Sequence, residues 1–240
     1  GFQFLDYHNN KLYFSTKDSE GNWSDLVAFE YNEDGSNTGH ATYTPDGNRI
    51  YFVSDREGGI GGTDLYYSDR NGKSWSKPVL LGKHINTERD EMFPNVNVAG
   101  MLYFASDGHF GLGGLDVFMV NPNMENAQPQ NMGYPINTQA DDFGLIADSL
   151  GTSGYFSSNR TDFVDRIYSW ERRLPKIILE GTVYAIYTEH EPVPEQLVKI
   201  IDHNSNETHS VVTDEAGRYE FPILPNRSYT IQTRKEYFLL

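Results

Sequence analysis

The sequence predicts an all-β fold, a run of β-propeller blades followed by a second, smaller β domain. Three observations carry that prediction. Tyr51-Phe52-Val53-Ser54-Asp55 recurs 52 residues later as Tyr103-Phe104-Ala105-Ser106-Asp107, and a third copy starts one period on at Tyr155-Phe156-Ser157-Ser158-Asn159. Gly61-Gly62-Thr63-Asp64-Leu65-Tyr66 recurs at the same spacing as Gly113-Gly114-Leu115-Asp116-Val117-Phe118. Aromatic residues make up 14% of the 240 residues, a bias toward pleated strands whose rings pack across neighbours, and no stretch shows helical periodicity. A fixed period of about 50 residues, built from short aromatic strands and glycine turns, is the signature of propeller blades.

The elements follow in chain order. Lys11–Thr16 reads as a strand, closed by a turn at Gly21-Asn22 ahead of Trp23, and Trp75 stands 52 residues later behind a similar turn at Gly72. Thr44-Pro45-Asp46-Gly47 is a turn whose proline presets φ and whose glycine accepts a positive φ. Its counterpart in the next copy is Val98-Ala99-Gly100. Gly82-Lys83-His84-Ile85-Asn86-Thr87 matches Gly133-Tyr134-Pro135-Ile136-Asn137-Thr138, and an acidic pair follows each, Asp90-Glu91 and Asp141-Asp142. Repeats are therefore expected over about 40–91, 92–142 and 143–174, with a partial blade over 1–39, each full unit having room for four strands. The third copy lacks the double glycine and sets Asp165-Arg166-Ile167-Tyr168 where Asp-Leu-Tyr stood, as a terminal blade under different packing demands.

Past Leu174-Pro175 the texture changes. Ile177–Val183, Leu197–Ile201, Val211–Thr213, Tyr219–Phe221 and Tyr229–Ile231 read as strands of a separate β domain over 176–240.

A formal net charge of -15, with both halves acidic, argues against nucleic acid and against electrostatic attachment to anionic lipid. The absence of cysteine removes disulfides, thiolate metal ligands and thiol nucleophiles. No run approaches the ~18 apolar residues of a membrane helix. The chain opens in strand-like sequence with neither Met nor leader, and is read as a mature or truncated piece of a longer protein.

Several residue sets invite a chemical reading. Ser68-Asp69-Arg70-Asn71-Gly72-Lys73-Ser74-Trp75 resembles a sialidase Asp-box with its aspartate one place early, a motif that stabilises a turn away from catalysis. Hydrolysis of a glycoside needs two carboxylates across a sugar pocket, which sequence alone does not pair. The loops Gly58-Gly59-Ile60-Gly61-Gly62 and Gly111-Leu112-Gly113-Gly114 lack the following helix that a phosphate cradle requires, so their glycines read as close-approach positions. Asp64 and Asp116 stand where each loop re-enters a strand, placed to accept backbone N–H groups, with calcium as the alternative reading. The seven histidines form no metal-ligand spacing. No catalytic residue, cofactor or metal is expected. The apolar tips of the glycine loops are the functional lead: Ile60 in one copy, and His109, Phe110 and Leu112 in the next, are candidate partner contacts. Gly61, Gly62, Asp64, Gly113, Gly114 and Asp116 are structural repeat positions.

Residues 44–66, with their Thr-Pro-Asp-Gly turn, Tyr-Phe-Val-Ser-Asp strand and glycine loop, resemble TolB-type, WD-repeat-like propeller repeats. Glu91-Met92-Phe93-Pro94, Leu102–His109 and Gly111–Asp116 resemble more narrowly the propellers of Bacteroidetes OmpA-family envelope proteins. Gly181-x-Val183, Thr213-Asp214-x-x-Gly217-x-Tyr219-x-Phe221 and Leu224-Pro225 with Tyr229-x-Ile231 are similar to a carboxypeptidase regulatory-like, transthyretin-like sandwich. The resemblance implies a periplasmic, outer-membrane-associated, non-enzymatic scaffold of type IX secretion or gliding assemblies. It further implies a protein partner in an outer-membrane complex, and a lipid anchor carried outside these residues. Peptidoglycan binding would belong to an OmpA-like domain that this sequence does not contain. About three and a half blades are present where the resemblance implies five or more, and the sandwich stops at Phe238-Leu239-Leu240, before its final strand. Glycan binding or hydrolysis by a propeller face is the second reading.

Overall fold

Short turn-bounded stretches rich in Tyr, Phe, Val and Ile leave little for a helix to bury. The computed structural model describes residues 10–173, 175, 177–185, 191–203, 206–225 and 227–233. Among these residues it contains β-strands and no helix, and no closed barrel. Accordingly, no helix of the described residues is long and apolar enough to cross a membrane. The chain divides into two units, residues 1–172 and 173–240.

The first unit opens with β1 (Tyr13–Phe14) paired to β2 (Val27–Ala28). Only these two residues of the expected Lys11–Thr16 strand keep strand pairing. At Thr16 the backbone keeps one ladder bond, the Ser24 N–H donating to the Thr16 carbonyl at 2.8 Å, while the Thr16 N–H goes to the Ser24 hydroxyl at 3.0 Å, so a side chain replaces the other. β3 (Thr38–Tyr43), β4 (Arg49–Ser54) and β5 (Asp64–Asn71) lie side by side, with β6 (Ser74–Trp75) and β7 (Val79–Leu80) both pairing to β5. The next sheet has the order β8 (Glu91–Val96), β9 (Leu102–Ser106), β10 (Asp116–Val120), β11 (Gln130–Asn131). The last has three strands, β12 (Asp142–Ala147), β13 (Ser153–Ser158) and β14 (Arg166–Glu171). Every pairing is antiparallel, as short hairpin connections require.

The second unit pairs β15 (Ile177–Thr182) with β18 (Arg218–Ile223), and sets β16 (Leu197–Asp202) between β17 (Glu207–Val212) and β19 (Tyr229–Thr233). Val198 and Ile200 are its buried apolar residues. Asp214 closes the β17–β18 turn by accepting the N–H groups of Ala216 and Arg218 at 2.9 and 2.8 Å. Residues 1–9 of the partial blade, Leu174, and the 234–240 stretch on which the missing final strand rested lie outside the described residues.

The three larger sheets of the first unit repeat in register, not merely in sequence. Ser54 faces Asp64 and Ser106 faces Asp116, but Ser158 faces Arg166. Tyr168 does fall at the Tyr66 and Phe118 position, so the aspartate expected at the loop exit, Asp165, sits one residue too early and Arg166 occupies its place. The first strand of each of these sheets also carries the same bulge. Register slips between Gly39 and Thr42, between Met92 and Asn95, and between Phe143 and Ile146, around His40, Phe93 and Gly144 at φ of 48°, 54° and 62°. The bulges bring His40 and Phe93 into a stack at 4.2 Å, with Phe143 4.9 Å from Phe93. Burial against Phe93 pushes the His40 pKa down.

Alternation along each strand sends one set of apolar residues forward and the other back. Phe29, Ile50, Phe52, Tyr66 and Trp75 form one cluster. Tyr51, Val53, Leu65, Leu81 and Ile85 of the β3–β7 sheet pack on Leu102, Phe104, Phe118 and Val120 of the next. Tyr103, Val117 and Ile136 then pack on Leu145, Phe156 and Trp170. The first two of these sheets thus use both faces, which is why aromatic residues occupy neighbouring positions on β4 and β9 instead of alternating with polar ones, whereas the third buries one face and leaves Ile146, Tyr155 and Ile167 exposed on the other.

Candidate functional site

The glycine loops join β4 to β5 and β9 to β10, and their geometry follows from four carboxylates, two per loop, and two backbone approaches. Asp64 Oδ2 accepts the N–H groups of Ile60 (2.8 Å) and Gly61 (3.2 Å). Asp116 Oδ2 accepts those of Leu112 (2.7 Å) and Gly113 (3.1 Å). A Cβ on Gly59 or Gly111 would stand 2.2 or 1.8 Å from those same carboxylate oxygens. On Gly61 it would meet the carbonyls of Thr87 and Arg89 at 2.4 Å, and on Gly113 those of Ala140 and Thr138 at 2.3 and 2.6 Å. Gly62 and Gly114 make room for Asp90 and Asp141, whose Oδ1 atoms accept the N–H groups of Thr63 and Leu115 at 2.8 and 3.0 Å. The double glycine is therefore a seat for the Thr-x-x-Asp segment that follows each Ile-Asn pair, and not a site of positive φ.

Those Ile-Asn pairs fasten the outer strands. Asn86 accepts the Leu65 N–H at 2.8 Å and donates to the Leu65 and Leu81 carbonyls at 3.0 and 2.6 Å. Asn137 accepts the Val117 N–H at 2.8 Å and donates to the Val117 carbonyl and Asn131 Oδ1 at 2.9 and 2.8 Å. Asp69, the aspartate of the Asp-box-like stretch, holds Arg49 by a two-pronged pair at 2.6 and 3.1 Å. Its role is to brace two strands.

The four candidate contact residues separate into two kinds. Phe110 is 97% exposed at the tip of its loop, with its carbonyl accepting from Asn131 Nδ2 at 3.3 Å. Leu112 is 53% exposed and Ile60 is half-buried. His109 does not present its ring outward. Its Nε2 lies 2.7 Å from the Ile85 carbonyl, and the ring packs 5.9 and 5.1 Å from Phe104 and Phe118. In the neighbouring sheets an arginine fills that place: Arg56 over Phe52 and Tyr66, and Arg160 over Phe156 and Tyr168. Gly108 stands at the arginine position because a Cβ there would strike Thr87 Oγ1 at 1.8 Å, so His109, one residue later, fills the space.

Further exposed apolar residues surround the same region. Phe163 (87% exposed) tips the shortened β13–β14 loop, with Val164 and Ile167 beside it and Tyr134 exposed on the segment after β11. Arg160 Nη1 donates to the Pro135 carbonyl at 2.8 Å, which ties that loop to the Tyr134 segment. A groove of about 600 Å³ lies between, lined by Met119, Asn131, Tyr134, Phe156, Tyr168 and Trp170 among others. Sequence reading missed Phe163: Phe110 was singled out as the apolar tip of a glycine loop, and the β13–β14 loop contains no glycine.

The buried polar groups around the loops are titratable. Burial raises the Glu91 pKa above its ordinary 4.5, opposed by the Ser106 hydroxyl, the Thr87 N–H and hydroxyl, and the nearby His109. Burial likewise raises Asp116, against the N–H groups of Gly113 and Leu112 and with the help of Asp142 and Asp141, and its Oδ1 has no hydrogen-bond partner. Asp148 goes the other way: burial is outweighed by the Thr152 N–H and hydroxyl and by Ser153, and the value falls to about 2. A raised carboxylate binds more protons folded than unfolded, so its contribution is complete below pH 4.5 and is lost as pH rises through the folded value. Glu91→Gln is expected to flatten the fall in Tm above pH 4.5, as followed by thermal melts across pH against the wild type; parallel curves would refute it. Among the described residues, no three His, Cys, Asp or Glu side chains converge as metal ligands.

No family model matches the chain. No curated protein matches it. Among solved structures, a chain described as a Ca²⁺-stabilized adhesin that helps an Antarctic bacterium reach out and bind ice aligns at a TM-score of 0.14 and 8% identity, over 92% of this chain and 79% of that one. A score that low carries no argument about fold or function.

Proposed function

We propose that the chain is a non-enzymatic protein-interaction scaffold of the bacterial cell envelope, with propeller blades in its first unit and a transthyretin-like, regulatory-like sandwich in its second. The observation that carries this reading is the division of labour within the repeats. Their polar residues (Asp64, Asp116, Asn86, Asn137, Asp90, Asp141) hold backbone to backbone, while apolar side chains stand on the loop tips, Phe110 at 97% exposure and Phe163 at 87%. Large rings held in solvent on fixed loops suit recognition of another protein. The resemblance to OmpA-family envelope proteins is what supports reading this scaffold as periplasmic, within an outer-membrane-to-peptidoglycan assembly of the type IX secretion or gliding kind.

The test is crosslinking and affinity recovery from native envelopes with wild type and Phe110→Ser. Phe110→Ser is expected to leave stability within about 0.5 kcal/mol, as surface changes do, and to reduce the recovered partner severalfold. Equal recovery by both proteins, or recovery of no envelope component by the wild type, overturns the reading.

A further inference from the structure

The loops at one end of the three larger sheets form a continuous rim. The Gly62 N–H donates to the Arg89 carbonyl at 2.8 Å, and Asp107 Oδ1 accepts the Asp90 N–H at 2.9 Å. These bonds tie the β4–β5 loop to the segment before β8, and that segment to the β9–β10 loop. The ties repeat one sheet on: Asp141 accepts the Leu115 N–H at 3.0 Å, and Asn159 Oδ1 accepts the Asp141 N–H at 2.9 Å, which reaches the β13–β14 loop. Phe110, Leu112, Phe163 and Val164 stand on this rim, each more than half exposed. Charge is divided unevenly between the two ends of the sheets. The segments that build the rim, residues 54–64, 82–91, 106–116, 133–142 and 158–166, hold twelve Asp or Glu against five Arg or Lys. The turns at the opposite end, residues 44–49, 69–78, 97–101, 121–129 and 148–153, hold four of each. The rim's four arginines are already neutralised: Arg56 by Glu33 at 3.2 Å, Arg160 by Asp142 at 2.6 Å, and Arg89 and Arg166 by Asp107 and Asp162, both at 3.5 Å. Among the described residues, exposed Glu57, Glu88 and Asp165 belong to no ion pair.

We propose that this rim docks a basic polypeptide surface of a partner protein, whose Lys or Arg side chains meet Glu57, Glu88 and Asp165 while its apolar side chains cover Phe110 and Phe163. The inference rests on the interaction-scaffold reading and names the chemistry of the partner. Charge complementarity selects the occupant. A second copy would set these carboxylates against their own kind. The second unit is no better matched, with ten acidic and seven basic residues over 173–240. An anionic lipid surface or a nucleic acid would be repelled by the same groups. A basic, partly apolar protein surface satisfies both features of the rim at once. Rings covered by the partner supply most of the affinity, and the carboxylates around them set encounter rate and selectivity. The charge belongs to the loops rather than to the chain at large, since the other ends of the same strands are balanced.

The experiment selects binders to the full chain from a displayed library of random peptides and measures the enriched peptides by fluorescence anisotropy. Those peptides are expected to carry net positive charge together with aromatic or aliphatic residues. Their binding is expected to weaken at least about tenfold in Phe110→Ser and in the triple variant Glu57→Lys, Glu88→Lys, Asp165→Lys. It is also expected to weaken severalfold as salt rises from about 50 to about 500 mM. The three reversed positions are exposed, so Tm is expected to be little changed. Should the triple variant unfold, the three single reversals decide, each weaker by about two- to threefold. Failure to enrich any peptide, enrichment of neutral or acidic ones, or binding indifferent to the charge reversals overturns the proposal. Self-association of the wild type that Phe110→Ser abolishes also overturns it, by showing a second copy to be the occupant. Recovery from native envelopes of a component that depends on Phe110 but not on the three carboxylates would sink this inference and leave the scaffold reading standing.

Discussion

Arg160→Ala is expected to lower unfolding stability by about 3–5 kcal/mol, the cost of stranding a buried carboxylate when its partner is removed. The guanidinium joins four groups: Ser158 Oγ at 2.9 Å, the Pro135 and Ile136 carbonyls at 2.8 and 2.5 Å, and Asp142 Oδ1 at 2.6 Å. Asp142 is fully buried, and its other oxygen is held by Thr138. With the arginine gone, one oxygen faces the interior without a cation, and the clamp between the third sheet and the segment after β11 is lost. Arg160→Lys keeps the charge but not the fork, so it is expected to recover only part of the loss. Urea midpoints at constant slope for the three proteins check this; an alanine variant within about 1 kcal/mol of wild type, well below the ~3 kcal/mol floor, would refute it.

Asn137→Ala is the second large effect, about 2–4 kcal/mol, because truncation leaves buried backbone groups unpaired. Asn137 is fully buried, and the N–H that it accepts belongs to Val117, itself only 1% exposed, so water does not readily replace the lost acceptor. The Val117 carbonyl still holds the Met132 N–H, so the donor carries most of the loss. Asn86→Ala is expected to cost as much in the preceding sheet, where Leu65 is equally enclosed. Amide exchange supplies the local readout: the Val117 amide should exchange faster in Asn137→Ala while the Leu65 amide is unchanged.

Both predictions turn on residues that stood in plain view in the repeats without a visible role. Asn86 and Asn137 recur at equivalent places, so repetition marked them as structural, but the chain separates them from Leu65 and Val117 by about 20 residues, and sequence spacing does not name a hydrogen-bond partner at that distance. The glycine pairs were legible as close-approach positions. What approaches them, the carbonyls of Thr87 and Arg89 or of Thr138 and Ala140, was not. His109 looked like a loop residue free to meet a partner because its neighbours are glycine and phenylalanine. Packing instead fits its ring over Phe104 and Phe118, where the flanking sheets place Arg56 and Arg160. Asp165 matched the loop-exit aspartate by eye, but β13–β14 pairing puts Arg166 there, since the loop is two residues shorter than its relatives.

Strand content, the repeat and its turns were determined by the sequence itself, because φ/ψ preference, side-chain alternation and glycine or proline at a turn act within a few residues. The tertiary structure decided which edge is left open and which polar groups lie buried. Ile167 carries the same residue class as Leu65 and Val117 and stands in the same register, yet it is 77% exposed where they are covered. Nothing in Ile167 or its neighbours encodes that difference. It arises because burial and hydrogen-bond satisfaction depend on what a distant segment brings to the strand, and in the third sheet no described segment brings an outer strand.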